Sequence, residues 1–570
     1  MRANDQKDFA VLFGRAVEHH VRGRLSEALS LYDALARSYP RAAAVHGNRG
    51  LVLQSFKQFD AALQSFDRAI AIDPKYADAH YNRGILLRDM QRLNEAVESY
   101  SRAIQYDPAH AEAYSNRGNA LRELGRPEQA IESFDKAIAL RPALADAHYN
   151  KGNALQDMYR WGEAVRSYDR ALATRPDFAE AWSNRSNALR NLGQPEAALE
   201  SCNRAIALRP DHSDPYVSRG NALKDLKRLH DALESYDRAI KLDPRSADAH
   251  WNKSLCVLLT GNLAEGWGLY EWRKKMFDAW KPYSGAQPVW SGRETLENKT
   301  LLIYADEQGL GDTIQFCRYA ELARQRGAKV ILAVQDRLAA LLKSVGESIE
   351  ILKTSSAVPE TDFQIALLSM PLAFETALAN IPADVPYLAA DRGRAAYWRA
   401  HLGDEGFKVG ISWQASAARD ADTDKSFPLH SFQRIVAIPG VRLISLQKHD
   451  GLAQLHERPA GMRVEILGDE FDCGPNAFLD TAAVMENLDL VIAPDTAVAH
   501  LAGALGRPTW VALKHVPDWR WLLDRTDSPW YPTMTLFRQT KRGDWSDVFA
   551  AMERKLQAGL DKSLSAASGQ

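Results

Sequence analysis

Three short stretches of this chain place charged side chains where a loop turns into a helix. In EQGLGDTIQF (307–316), Gly309 and Gly311 permit a tight turn, and Asp312 stands at the mouth of the helix that follows. An aspartate there is either the N-cap, accepting from free backbone N–H groups, or a carboxylate turned to a ligand. In PDTAVAHLAGALGRPTWVAL (494–513), Asp495 and Thr496 are expected to cap a second helix, whose free N–H groups and dipole suit a pyrophosphate. His500, a turn further on, either reaches the same ligand or is a hydrogen-bonded core histidine. In WQASAARDADTDKSFPLHSF (413–432), Lys425 sits on a polar loop ahead of a helix, as a solvated lysine or as a cation beside that pyrophosphate. Lys448 in SLQKHDG is a similar, weaker candidate. No Gly-rich Walker loop, metal triad or Ser-His-Asp order accompanies them.

Each stretch follows a short apolar run, and those runs are the elements that must hold it. TLLIYA (300–305), KVILAV (329–334), IEIL (349–352) and DFQIAL (362–367) form one set of expected strands. KVGISW (408–413), VRLISL (441–446), RVEILG (463–468), LDLVIA (488–493) and PTWVAL (508–513) form a second. Apolar strands alternating with helical segments imply parallel sheets covered on both faces, with ligands beyond the strand C-termini. The sets part near 384–406, which suggests two Rossmann-like lobes with a cleft between them. The Trp- and Arg-rich PDWRWLLDRTDSPWYPT (517–533) either stacks a base or sugar or is packing, and residues 561–570 are expected to be disordered.

The first half is built on another plan. Proline falls at 40, 74, 108, 142, 176, 210 and 244, always 34 residues apart. Gly recurs in the same frame at 50, 84, 118, 152 and 220, and Ala at 69, 103, 137, 171, 205 and 239. Phe or Tyr stands at 66, 100, 134, 168 and 236. Small residues let two antiparallel helices approach, the ring fills the wedge between them, and Pro ends the second helix. This resembles the tetratricopeptide repeat, which implies an α superhelix of about eight units over 7–278. The end units are atypical: repeat one has Leu35 and repeat eight Arg273 where the others have Ala.

Asn occupies one repeat position at 48, 82, 116, 150, 184 and 252, and a second, three residues on, at 119, 153, 187 and 221. Asn is a mediocre helix former, so propensity does not account for these columns. Either they hydrogen-bond within the hairpin, or they present carboxamides to the main chain of an extended peptide. The repeats resemble the arm of eukaryotic O-GlcNAc transferase, which implies that all ten Asn bind a protein acceptor.

Composition sets outer bounds. With 71 basic and 73 acidic residues the net charge is −2, which gives no footprint for nucleic acid. The four cysteines are scattered and form no CxxC, as suits buried small hydrophobes in a reducing compartment. The N-terminus lacks a secretory signature, and no apolar run reaches the ~18 residues of a membrane span. A soluble cytoplasmic protein is expected, and an oligomer is compatible with the sequence.

The C-terminal stretches resemble glycosyltransferase family 9, the bacterial heptosyltransferases, over about 298–560. DTAVAHLAGALGRPTWVAL carries most of that likeness. The resemblance implies a GT-B fold after the superhelix: a linker at 279–299, an acceptor-side lobe at 300–395 and a donor-side lobe at 404–560. It implies that Asp312 is the catalytic base. It implies too that Lys425, Asp495, Thr496 and His500 bind a nucleotide-sugar donor, supported by Gly309, Gly311 and Lys448. Inverting GT-B enzymes use neither a bound metal nor a cofactor. Ala497 and Ala499 stand where the family has Gly and Ser or Thr, and an acidic donor contact near 447–451 has no clear counterpart. The layout is similar to flagellin glycosyltransferases that bear such repeats, which implies transfer to Ser or Thr of a protein, flagellin among the candidates. Transfer to a lipid or polysaccharide, and a scaffold with a non-catalytic transferase region, are the alternatives.

Overall fold

The computed structural model describes residues 3–276, 287–306, 309–415 and 424–568, and divides into two compact units at Ala222 and Leu223. The first unit is a superhelix of antiparallel pairs, such as Ala43–Ser55 with Phe59–Ile72 and Ala111–Glu123 with Pro127–Leu140. A Cβ added at Gly50, Gly84, Gly118 or Gly152 would come within 2.5–2.6 Å of the buried ring of Phe66, Tyr100, Phe134 or Tyr168. That close approach is what the Gly column is for. At the next unit Ser186 replaces Gly, and Cys202, in contact with it, replaces the ring. Smaller partner and larger side chain offset one another, and helix spacing is kept.

Two further columns complete the hairpins. The turn residue after each first helix is left-handed: Gly23, Gly125 and Gly193 share that conformation with Lys57, Gln91 and Tyr159. Most of the repeat prolines have their carbonyl met by a side-chain donor six residues on. His46, His80 and His148 bond Pro40, Pro74 and Pro142, Trp182 bonds Pro176 and Tyr216 bonds Pro210, at 2.9–3.2 Å. The proline that stops one helix thus has its carbonyl satisfied from the next. Arg49, Arg83 and Arg185 tie neighbouring hairpins, each spanning an Asp of the preceding one and a Ser of its own.

The second unit begins with helices Leu229–Leu242, Ala247–Leu259, Leu263–Tyr270 and Arg273–Met276, then forms the two expected lobes of a GT-B fold. Strands β1 (Thr300–Tyr304), β2 (Lys329–Val334), β3 (Glu350–Lys353) and β4 (Phe363–Ala366) make a parallel sheet in the order β3-β2-β1-β4. Strands β5 (Phe407–Ile411), β6 (Val441–Ser445), β7 (Leu490–Pro494), β8 (Thr509–Leu513) and β9 (Met534–Arg538) make a second, ordered β6-β5-β7-β8-β9, also parallel. Central β7 and β8 are buried at every residue, as sheets covered on both faces require. The chain leaves β1 on one side for β2 and returns on the other as β4, and β5 is flanked likewise by β6 and β7. Both switch points open toward the cleft.

Three details differ from the sequence reading. RVEILG makes a single bridge, Ile444 to Glu465, because Ile466 points to solvent and has no sheet face to join. The fifth strand β9 comes instead from MTLFR, masked in the sequence by the Trp- and Pro-rich run before it. The last helix, Ser546–Ser568, continues past 561, where disorder is expected. Leu560 still packs on the lobe's core, and the Ala- and Lys-containing sequence beyond it favours helix. Among the described residues no helix is long and apolar enough to cross a membrane.

Candidate active site

The strand ends of both lobes border one cavity of about 1030 Å³. Gly309 and Gly311 face it from the loop after β1, and Asp495 and Thr496 from the turn after β7. Lys425 and Lys448 complete the set of sequence-derived candidates on its wall. Asp312 and His500 lie directly behind these.

The helix after β1, Leu310–Phe316, takes Gly309 as its N-cap, so Asp312 is not the capping residue. Its carboxylate is instead clasped by Arg520, from the C-terminal lobe. Arg520 is buried, and it also bonds Gln315 Oε1 at 2.6 Å and Asp518 at 2.9 Å. Burial would weaken its charge, but Asp518 and Asp312 more than offset that and raise its pKa. Gly311 is explained by approach across the cleft. A Cβ there would stand 3.0 Å from the His500 ring and 3.4 Å from the Ala497 Cα. Two helix N-termini from different lobes meet at that point.

Thr496 occupies the N-cap position of helix Ala497–Ala504, but neither it nor Asp495 caps. The Thr496 hydroxyl donates back to the Pro494 carbonyl at 3.3 Å. Asp495 is held by Lys425, 3.5 Å from Oδ2, and faces His500 Nε2, 3.8 Å from Oδ1. Burial raises the Asp495 pKa. Lys425 first, then His500, Arg520 and the Trp521 indole, outweigh it and bring it below the ordinary value. The first-turn amides of the helix therefore receive no side-chain cap and open beside Ala497 and Val498 on the cavity wall.

His500 is a core histidine in burial and a cleft residue in position. Its ring stacks on Trp521 at 5.5 Å, and Nδ1 meets the Tyr531 hydroxyl at 3.0 Å. Burial lowers its pKa to about 3, so the ring is neutral near pH 7. Lys448 donates to the Phe471 carbonyl and lies 5.7 Å over that ring. Sequence reasoning missed Gln447, whose carboxamide is spent on the loops themselves. It accepts from Ser412 Oγ, Trp413 N and Gln414 N, and donates to the Gln414 and Asp450 carbonyls, all at 2.9–3.1 Å. This places Asp450 on the cavity wall, in the 447–451 stretch that had offered no clear acidic contact. Cys473 also lines the cavity and is exposed, unlike the other three cysteines.

The Asn columns divide among themselves. Asn116 donates to the Tyr81 hydroxyl and Asn184 to the Tyr149 hydroxyl, each at 3.0 Å. Asn153 accepts from Asn184 and from Tyr168, at 2.9 and 2.8 Å. Asn48 and Asn252 bond carbonyls one turn back, and Asn221 is buried. Among the described residues, none hydrogen-bonds the part-exposed side chains of Asn82, Asn119, Asn150 or Asn187.

Comparison with known proteins separates the same two halves. Tetratricopeptide repeat models match 57–87, 86–125, 118–158, 149–213 and 220–254, and the glycosyltransferase family 9 (heptosyltransferase) model matches 346–513. Protein FlbA of Caulobacter vibrioides is 28% identical over 327 residues, 54% of each chain. The chain therefore spans about half the length of that curated relative. Among solved structures, MamA protein is 24% identical (30% of this chain, 92% of that one, TM-score 0.29). YrrB, a TPR protein with an unusual peptide-binding site, is 22% identical (32% and 95%, TM-score 0.30).

Proposed function

We propose that this chain, tetratricopeptide repeats joined to a glycosyltransferase family 9 segment, is a cytoplasmic inverting glycosyltransferase acting on a protein. The observation that carries this reading is the convergence on one interlobe cavity of an uncapped helix N-terminus, Lys425 and the Gly309–Gly311 turn that leads to Asp312. The nucleotide diphosphate of a sugar donor sits against the amides of helix Ala497–Ala504, with Lys425 released from Asp495 toward it. Fixed cationic groups then stabilise the charge that develops as the bond from the anomeric carbon to the diphosphate breaks. A Ser or Thr hydroxyl of the acceptor attacks the opposite face of that carbon. Its proton passes to Asp312, while Arg520 fixes the carboxylate's direction. No covalent intermediate and no metal take part.

The repeats hold the acceptor and raise its local concentration at the cleft. Asn82, Asn119, Asn150 and Asn187, whose side chains make no hydrogen bond among the described residues, are the members of the columns best placed to grip a peptide main chain. Flagellin is a candidate acceptor on the likeness of layout. The test is intact-mass measurement of candidate acceptors after incubation with a panel of nucleotide sugars, with and without EDTA. A mass increment equal to one sugar residue supports the reading. A strict requirement for Mg²⁺ or Mn²⁺, or transfer to lipid or polysaccharide with no protein product, overturns it.

A further inference from the structure

Position 273 breaks a column. Where six of the other repeats carry Ala and the first carries Leu35, the last carries Arg273, and its side chain is 1% exposed. It does not pack against another hairpin. Its guanidinium reaches Asp306 at 2.9 and 3.1 Å, Ser369 Oγ at 2.8 Å and Glu271 at 2.6 Å. Asp306 is equally buried, and it also accepts from the Leu368 amide at 3.3 Å. It follows β1 by two residues and precedes Gly309 by three, so it is the root of the segment that carries Gly309, Gly311 and Asp312.

The same hairpin holds the other side of Asp312. Trp267, whose indole donates to the Thr376 carbonyl at 2.8 Å, packs edge-on against Trp519 at 5.1 Å, and Tyr270 does so at 6.0 Å. Arg520, the partner of Asp312, lies 4.3 Å over that Trp519 ring. The charges acting on the Tyr270 hydroxyl include Arg520, Asp312 and Arg273 together. One helical segment, 263–276, thus braces both the loop that presents the carboxylate and the arginine that orients it. A buried ion pair adds little net stability over apolar residues of the same size, so its use here is better explained by placement than by strength.

We propose that the hairpin closing the repeat array is a working part of the transferase centre, with Arg273 as a positioning residue for the segment that presents Asp312. The inference rests on the glycosyltransferase reading for its catalytic meaning, but the placement is testable separately. In the full-length chain, the double variant Arg273→Met/Asp306→Asn removes both charges without stranding either, and keeps an acceptor for the Leu368 amide. Arg273→Lys keeps the charge but loses the fork that spans three partners. In the double variant, hydrogen exchange of amides 309–316 should quicken about tenfold or more. Turnover should fall by about tenfold or more, with the donor KM unchanged, since small misplacement of a reacting group costs rate. Arg273→Lys should fall between that variant and wild type on both readouts. Unchanged exchange at 309–316, or unchanged turnover, in a folded double variant overturns the proposal. A wild-type chain that transfers no sugar overturns the enzymatic reading instead, and the exchange result still decides whether Arg273 places 309–316.

Discussion

Arg520 and Asp312, 208 residues apart in sequence, close the two lobes on each other through one guanidinium–carboxylate contact at 2.5 Å. The arginine is not dependent on that contact alone, because Asp518 and Gln315 hold it as well. Asp312→Asn keeps an oxygen for Arg520 and leaves the buried charge balanced by Asp518. Turnover should nevertheless drop about 10²-fold or more if the carboxylate is the base, with the circular dichroism of the fold unchanged. Wild-type turnover in that variant would leave Asp312 as a clasp between lobes and nothing more.

His500 gives the second unit an acid sensitivity. Its folded value of about 3 lies below the 6.5 of the unfolded chain. The unfolded state binds the proton first, so the contribution of neutral His500 is complete above 6.5 and is lost as pH falls toward 3. Each pH step of one below 6.5 should cost about 1.4 kcal/mol from this group. His500→Gln cannot titrate. The gap in denaturation midpoint between wild type and variant should therefore shrink by the equivalent of about 2 kcal/mol between pH 6.5 and 5. A gap that stays constant with pH would show that another group carries the acid response.

The left-handed turn column offers stabilisation without contact with any site. Lys57, Gln91 and Tyr159 hold a conformation that Gly adopts freely, and Gly stands at the equivalent turns 23, 125 and 193. Replacing each by Gly should stabilise the repeats by about 1 kcal/mol per site, less a few tenths for the freer unfolded chain. Urea denaturation of single variants checks this. A loss of stability at all three sites would show that their side chains contribute more than the turn costs.

The Asn columns should separate by partner. Asn116→Ala and Asn184→Ala remove bonds to Tyr81 and Tyr149 and should lower stability by about 1 kcal/mol each. Asn82, Asn150 and Asn187 changed together to Ala should leave stability level and raise KM for the protein acceptor, with donor affinity unaffected. If this folded triple variant modifies its acceptor at wild-type efficiency, the clamp role is lost and a lipid or polysaccharide acceptor gains ground.

How much of this was legible in the sequence depends on whether a feature is local or assembled. The 34-residue columns are local: each Gly faces the ring 16 residues on, so spacing alone reveals the hairpin. Strands at Thr300–Tyr304 and Lys329–Val334 fall where their apolar runs place them. The histidine-to-proline-carbonyl bonds were equally periodic, and a search for ring donors at a fixed offset would have found them. The Asp312 environment was not legible. Arg520 lies in a Trp-rich run whose composition suits stacking or packing alike, and only folding brings it to residue 312. Gln447 gave no signal either, because its work is to satisfy backbone groups of two loops that meet only in the folded lobe.

The Ser186–Cys202 pair is one of three answers to a single packing contact. The common one sets Gly against a ring, as at Gly50–Phe66 and Gly118–Phe134. The end repeats instead keep the ring opposite a small side chain, Ala16 with Tyr32 and Ser254 with Tyr270, all buried. The glycine and the ring are therefore not locked to each other, and a small residue at a Gly position does not by itself interrupt the stack.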